Sequence, residues 1–201
     1  MGGRGGSSHR ATNSRFSFLG TQRTAFSILD SIRATNPNYH LGNEWQINCQ
    51  RCVFAYEMRR RGYNVEAKSV PTNGSFDPLP YRLDSRGWTS LMKNMERTKT
   101  NIDTRTYGSQ LSQAERIMLN WGANARAIVA VQWESGGGHV FIAETMSDGR
   151  TVRFVDPQPG VSNVGHYFNQ AKSEWTELFR VDNAELTERL DLAVQKKKKR
   201  R

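Results

Sequence analysis

Residues 48–62 read NCQRCVFAYEMRRRG, and this stretch decides the fold because it predicts a buried helix with a cysteine at its start. Four of its residues share one helix face, at positions i, i+3, i+4 and i+7: Cys49, Cys52, Val53 and Tyr56. Asn48 is a suitable N-cap, and Gly62 follows the last turn, where glycine commonly ends a helix. We therefore expect a helix over residues 49–61 that is buried over its first three turns.

The second half of the chain has the pattern of an antiparallel sheet. Residues 127–131, AIVAV, predict a buried strand, and residues 139–145 and 151–155 predict the two strands of a hairpin. The Asp-Gly pair within residues 147–149 is a favoured hairpin turn. A helical first half followed by such a sheet indicates an α+β domain.

Four further elements complete the predicted secondary structure. Residues 21–33 predict a helix, and residues 63–70 predict a short strand that ends at a proline. Ser112 with Glu115 forms a capping-box signature for a helix that runs to about residue 121. Residues 184–194 predict a final helix, because three apolar residues share one of its faces: Leu186, Leu190 and Val194.

Cys49 is a candidate nucleophile because of its place on the first helix described above. The first N–H groups of a helix have no intrahelical partner and carry roughly half a positive charge, which favours a thiolate over a thiol. Cys52 lies one turn further in, so this field favours Cys49. An isolated cysteine is also often a small buried apolar residue, and the helix alone leaves both interpretations open.

His139 and Asp156 are the candidate partners of this thiol. His139 follows three glycines and opens a strand, which suits a general base beside an approachable loop. If the hairpin turns at residues 147–149, Asp156 lies near His139 at its open end, where a carboxylate would orient the imidazole. Taken separately, each residue also has a non-catalytic explanation: the histidine could lie in a surface turn, and the aspartate could begin an Asp-Pro turn. Together with Cys49 they predict a Cys-His-Asp triad.

Two blocks of the sequence resemble the papain-fold toxin domains of bacterial polymorphic toxins, which have relatives in phages and other mobile elements. The blocks are NCQRCVFAYEMRRRGYNVEA, at residues 48–67, and GGHVFIAETMSDGRTVRFVDPQPG, at residues 137–160, and the resemblance covers about residues 36–160. It implies a papain-like fold in which the helix with the nucleophile packs on an antiparallel sheet. It also implies a cysteine hydrolase, either a peptidase or a glutamine deamidase, with Cys49, His139 and Asp156 as catalytic residues.

An oxyanion hole is also expected, formed by the backbone N–H of the nucleophile and a side-chain amide. Papain-like enzymes carry the donor glutamine upstream of the cysteine, so the resemblance makes Gln46 our candidate. The spacing from Gln46 to Cys49 is shorter than in papain itself.

The positive charge of the chain is concentrated at its ends. The 201 residues include 29 Lys and Arg and 19 Asp and Glu, a net charge of +10. Residues 1–15 hold three arginines without an acid, and residues 196–201 read KKKKRR; subtracting these nine from 29 leaves 20 basic residues against 19 acidic ones. We therefore expect a disordered basic arm over 1–15, a hydrolase domain over 16–195, and a solvated, disordered basic tail over 196–201. Weak binding of nucleic acid is the alternative role of this tail.

The sequence predicts neither a membrane partner nor a secretory signal. No apolar run reaches the ~18–20 residues that cross a bilayer, and residues 1–10 lack the apolar stretch of a signal peptide. We expect a cytoplasmic protein, one delivered into a target cell by another route, or one associated with a virion. We expect a protein substrate, and an immunity protein or phage capsid proteins as further partners.

Two other functions compete with the hydrolase. Cys49 and Cys52 form a C-x-x-C pair at a helix start, as in thiol-disulfide oxidoreductases, although no strand precedes it and the later strands look antiparallel. A non-catalytic basic protein associated with phage or nucleic acid is the second alternative. A zinc site is not expected, since the histidines lack the paired spacing that would complete the ligand set, and no cofactor is expected.

Overall fold

The computed structural model describes residues 14–72, 74–79, 87–102 and 108–197. The predicted basic arm and tail therefore fall largely outside the described residues, at 1–13 and 198–201. Within the described ranges the α-helices are α1 (Ile28–Thr35), α2 (Cys49–Arg60) and α3 (Gln110–Trp121). The strands are β1 (Val65–Ala67), β2 (Lys99–Asn101), β3 (Arg126–Gln132), β4 (Gly138–Thr145), β5 (Val152–Val155), β6 (Glu177–Arg180) and β7 (Val194–Lys196). No helix of the described residues is long and apolar enough to cross a membrane.

Five of the strands form one antiparallel sheet in the order β2-β6-β3-β4-β5. The β4–β5 pair is the predicted hairpin, with Ile142 opposite Val155 and Thr145 opposite Val152. Asp148 closes its turn by accepting hydrogen bonds from the N–H groups of Arg150 and Thr151, at 2.9 and 3.0 Å. The catalytic candidates of the second sequence block therefore lie at the open end of this hairpin.

The sheet is buried on both faces because its strands alternate between two apolar clusters. The first cluster, on the side of α2, takes from the sheet Ile128, Ala130, Val140, Ile142, Val155 and Phe179. The second cluster, on the side of α3, takes Ala127, Val129, Val131, Phe141, Ala143, Phe154 and Leu178. Helices packed on an antiparallel sheet confirm the predicted α+β class.

Helix α2 is the most deeply buried helix of the described chain, with residues 49–59 all buried. Its buried acidic residue is accommodated by ion pairs with the sheet and with the end of the helix. Glu57, which is fully buried, binds Arg126 at 2.6 Å and Arg61 at 2.7 Å. The helix ends at Arg60, and Gly62 lies just beyond it, as predicted. Gly62 has a φ of +91°, and a Cβ at this position would lie 2.0 Å from the Arg23 carbonyl oxygen, so only glycine fits.

The predicted helix over residues 184–194 is wrong. A short 3₁₀ helix, Glu188–Leu192, is followed there by strand β7, which pairs with β1. Val194 lies opposite Ala67 and is 1% exposed, so burial against the first cluster outweighs the local helical pattern.

Two other helices begin elsewhere than predicted. Helix α1 begins at Ile28 rather than near residue 21, because the Ser27 side chain accepts from the Asp30 N–H at 3.1 Å and caps it there. Helix α3 begins one turn before the predicted Ser112, since Ser109 is the residue whose side chain caps it.

Candidate active site

Cys49 is the first residue of α2 and is only 7% exposed. Its thiol is hydrogen-bonded to His139 and lies 3.6 Å from Oε1 of Gln50. The positive end of the helix dipole lies at this position, because the first N–H groups of a helix point away from its body. The structure thus places the cysteine nearest the helix start in contact with the predicted histidine.

His139 and Asp156 form a direct pair at the open end of the β4–β5 hairpin. His139 Nε2 lies 2.7 Å from Asp156 Oδ2, which leaves Nδ1 as the imidazole nitrogen available to the thiol. Asp156 is 1% exposed, and its Oδ1 accepts from the Gln158 N–H at 3.0 Å. Its own backbone N–H and carbonyl both pair with Val161, at 2.8 and 2.9 Å. Both carboxylate oxygens of Asp156 and its backbone are therefore held by hydrogen bonds.

The surroundings of His139 favour its charged form. Burial lowers its pKa, but the hydrogen bonds and negative charges that Asp156 and Cys49 provide outweigh burial and raise the pKa to about 10. The side chain is 12% exposed, so these interactions are poorly screened by water. These surroundings favour an imidazolium between the Asp156 carboxylate and the Cys49 sulfur at neutral pH.

Aromatic rings enclose the imidazole. Trp133 stacks on it with ring centres 5.8 Å apart and an angle of 25°. Tyr167 meets it edge-on at 6.0 Å and donates its hydroxyl to Asp156 Oδ2 at 3.2 Å. Phe141, two residues along β4, packs against Tyr167 at 5.5 Å. These rings limit the access of water to the His139–Asp156 pair, which strengthens their interaction.

Asn48 does not cap α2 with its side chain, contrary to the prediction. Its Nδ2 donates to the Lys68 carbonyl at 3.0 Å instead. Its Oδ1 accepts from three side chains, at 3.2 to 3.4 Å: Cys52, Asn36 and Gln158. Asn36 in turn donates to the Gln158 carbonyl at 2.9 Å. This buried polar network joins the start of α2 to the loop that follows Asp156.

The predicted oxyanion donor Gln46 lies at the exposed surface, where its Nε2 donates to the Tyr39 carbonyl at 3.3 Å. The side chain next to the Cys49 sulfur is that of Gln50, which is 4% exposed. Its Oε1 accepts from the Cys49 thiol at 3.6 Å, and its Nε2 donates to the Leu79 carbonyl at 3.3 Å. Gln50 was missed because the residue after the cysteine carries no motif signal of its own.

The glycines before His139 leave open space at the site. Gly136 and Gly137 have φ values of +93° and +80°, and a Cβ at either position would meet no atom within 4 Å. The space around both glycines is therefore open, and the close approach of a substrate backbone to this loop stays a prediction.

No cluster of three or more metal-ligating side chains occurs among the described residues. Cys52 is fully buried and donates to Asn48 Oδ1 at 3.2 Å. Burial, and secondarily the nearby Cys49 and Asp156, raise the pKa of Cys52 well above its ordinary value. The second cysteine of the C-x-x-C pair is thus held as a thiol.

An α+β fold in which a buried helix carries a cysteine against a His–Asp pair is the arrangement of papain-like cysteine hydrolases. A comparison with protein families then identifies the particular family. The family described as papain fold toxin 1, glutamine deamidase, matches residues 47–161, more than half of the chain. The chain belongs to this family, which confirms the resemblance, the papain-like fold and the enzyme class of cysteine hydrolase or deamidase. Neither curated proteins nor solved structures gave a significant match.

Proposed function

We propose that this protein deamidates glutamine side chains of a protein substrate through a triad of Cys49, His139 and Asp156. The observation that carries the proposal is the chain of contacts from Asp156 through His139 to the thiol at the start of α2, with 2.7 Å between carboxylate and imidazole. Each of the three groups has the neighbour that its role requires. The match to glutamine deamidases favours a side-chain amide over a peptide bond.

In the first half-reaction the Cys49 thiolate attacks the carbonyl carbon of the glutamine amide. The resulting oxyanion is stabilised by N–H groups at the start of α2. His139, as the imidazolium, gives its proton to the amide nitrogen, so the C–N bond breaks and ammonia leaves. Asp156 holds the imidazole in position and stabilises its charge. The product on the enzyme is a thioester between Cys49 and the substrate.

In the second half-reaction water replaces ammonia. The now neutral His139 takes a proton from the water, and the hydroxide attacks the thioester carbonyl. The C–S bond breaks, and the Cys49 thiolate is restored beside the imidazolium. The net change is glutamine plus water to glutamate plus ammonia.

The burial of Cys49 supports a slender substrate group. Only 7% of the residue is exposed, and residues 77–79 lie against the first turn of α2. There Arg51 binds Asp77 at 2.5 Å and Gln50 donates to the Leu79 carbonyl. A glutamine side chain offers its amide at the end of two methylenes, so it can reach such a sulfur more easily than a backbone peptide bond can.

Membership of a toxin family also supports a biological role for the deamidase activity, which is to modify a target protein. We infer that the protein acts on a target protein inside a cell into which it is delivered, and that an immunity protein would block access to Cys49. A phage-associated role, with capsid proteins as partners, makes the same chemical prediction and differs in the identity of the substrate.

Selective alkylation tests the nucleophile without knowledge of the substrate. At about pH 6.5, iodoacetamide should label Cys49 at least about tenfold faster than Cys52, because only Cys49 contacts the imidazolium. The variant His139→Ala should slow the labelling of Cys49, and Cys52→Ser should leave it unchanged. Equal, slow labelling of both thiols would rule out Cys49 as the nucleophile.

Ammonia release from glutamine-containing proteins tests the reaction itself. The protein should release ammonia and convert glutamine to glutamate without cutting the substrate chain. The variant Cys49→Ser should lose roughly 10⁴-fold or more of this activity, since the nucleophile and its base act as a unit. Cleaved fragments without ammonia would replace the deamidase with a peptidase.

A further inference from the structure

We propose that Tyr167 is a positioning residue whose hydroxyl shares one carboxylate oxygen of Asp156 with His139. The inference rests on the proposed function, because it assigns Tyr167 a task in the same triad. The Tyr167 hydroxyl donates to Asp156 Oδ2 at 3.2 Å, and His139 Nε2 lies 2.7 Å from the same atom. When two donors share one charged acceptor, each hydrogen bond is weaker than it would be alone.

The shared oxygen determines where the imidazole rests. Asp156 Oδ1 is held by the Gln158 N–H, so Tyr167 supplies the second restraint, on Oδ2, besides His139 itself. Without the hydroxyl, Oδ2 would interact with the imidazole alone and draw it towards the carboxylate. The thiol contact on the opposite side of the ring would then lengthen, and small displacements of this kind are costly for a reacting group.

Tyr167 is itself firmly anchored. It lies on the 3₁₀ helix Gly165–Asn169, and the next residue, Phe168, is 3% exposed and packs on Phe141 and Phe154 at 5.6 and 5.1 Å. The Tyr167 N–H donates to the Val164 carbonyl at 2.9 Å. Packing in the second apolar cluster therefore fixes the position of the Tyr167 hydroxyl relative to the Asp156 carboxylate.

The hydroxyl also remains a donor over the working pH range. Burial raises the pKa of Tyr167, and so do the charge of Asp156 and the hydrogen bond to it. The ring touches Trp133 edge-on at 5.5 Å as well as His139. Replacing the hydroxyl alone, and keeping the ring, isolates the hydrogen bond from this packing.

The variant Tyr167→Phe tests the proposal in the full chain with two readouts. The first is the proton resonance of His139 Nε2–H near neutral pH, which should move downfield in the variant because the bond to Asp156 strengthens. The second is the rate of Cys49 alkylation by iodoacetamide at about pH 6.5, which should fall about tenfold as the imidazole recedes from the thiol. Tyr63→Phe, a half-buried tyrosine packed on the first cluster, is the matched control and should change neither.

The outcomes separate the two proposals. A merely structural role for Tyr167 would slow alkylation without moving the Nε2–H resonance, and that result overturns the inference, as does an unchanged alkylation rate. Neither readout needs a substrate. If the wild-type protein releases no ammonia from glutamine while Tyr167→Phe gives both shifts, the proposed function fails and the role of Tyr167 stands.

Discussion

At the scale of single residues, the two cysteines of the C-x-x-C pair have different surroundings. Cys49 contacts an imidazolium, whereas Cys52 is enclosed by the core and by the Asn48 amide, and its pKa is raised by burial. A resolving cysteine of an oxidoreductase must form a thiolate during the cycle. The structure therefore favours the hydrolase over the oxidoreductase.

Substitution of Cys52 should be tolerated. Cys52→Ser keeps a donor for Asn48 Oδ1, so ammonia release and Cys49 alkylation should stay within about threefold of wild type. Cys52→Ala loses the hydrogen bond and should lower the free energy of unfolding by about 1 kcal/mol, measured by urea denaturation. Loss of activity in a folded Cys52→Ser protein, together with a reversible Cys49–Cys52 disulfide in the wild type, would restore the oxidoreductase alternative.

The residues of the site differ in how far the sequence could predict them. Cys49, His139 and Asp156 each lie at the end of an element with a strong local pattern. Their proximity could therefore be predicted from the start of the helix and from the turn of the hairpin. Tyr167 and Gln50 lie outside such patterns, since one is on a 3₁₀ helix and the other is placed only by the turn of α2. Their contacts depend on tertiary packing, which no local signal encodes.

At the scale of elements, one amide connects α2 to the loop after β5. Asn48 Oδ1 accepts from three buried side chains, and its Nδ2 donates to the backbone carbonyl of Lys68. The helix that carries the sulfur and the loop that carries the carboxylate are thereby held in a fixed relation. This joint, rather than an N-cap, is the role of Asn48.

Removal of this amide should loosen the joint. Asn48→Ala leaves buried donors on Asn36 and Gln158 without their shared acceptor, so the free energy of unfolding should fall by about 3 kcal/mol. Cys49 alkylation should slow in the folded variant, because the helix start shifts relative to His139. Asn43→Ala, at an exposed position just upstream, should change the unfolding free energy by less than about 0.5 kcal/mol. Equal effects of the two substitutions in urea denaturation would argue against the joint.

The secondary-structure elements were predicted correctly where the sequence carried both a periodic apolar pattern and a residue that ends or turns the element. Helix α2 has an apolar face and a terminal glycine, and the β4–β5 hairpin has alternation and an Asp-Gly turn, so both were correct. The segment from residue 184 to residue 194 has helical spacing but ends as strand β7, because β1 offers an edge to pair with. Strand pairing across more than a hundred residues cannot be deduced from spacing within eleven.

At the scale of the whole molecule, buried charges connect the layers of the fold. Glu144 on β4 is 2% exposed and binds Arg60 of α2 at 2.5 Å and the Tyr56 hydroxyl at 2.8 Å. Glu57 of α2 reaches back to Arg126 on β3. These two ion pairs join α2 to the sheet, and the His139–Asp156 pair joins β4 to the loop after β5. Protonation changes there act on the stability of the entire domain.

His139 should make the whole protein less stable as the pH rises from about 6.5 to about 10. In the unfolded chain its pKa is near 6.5, and in the folded protein it is about 10. Below pH 6.5 both states hold the proton and the full stabilisation is present. Between the two values only the folded state holds it, so deprotonation progressively removes the stabilisation, which is lost above about pH 10.

Urea denaturation across this pH window, on the wild type and on His139→Asn, measures the contribution of His139. Titrating groups that do not contact His139 act on both proteins and cancel in the difference, so the measurement reports His139 together with its partners Asp156 and Cys49. The wild type should lose more unfolding free energy than the variant, by on the order of a few kcal/mol in total, and this extra loss should begin above pH 6.5 and be complete near pH 10. Parallel curves for the two proteins would mean that His139 keeps an ordinary pKa, and that Asp156 does not hold the imidazolium in the way the 2.7 Å contact implies.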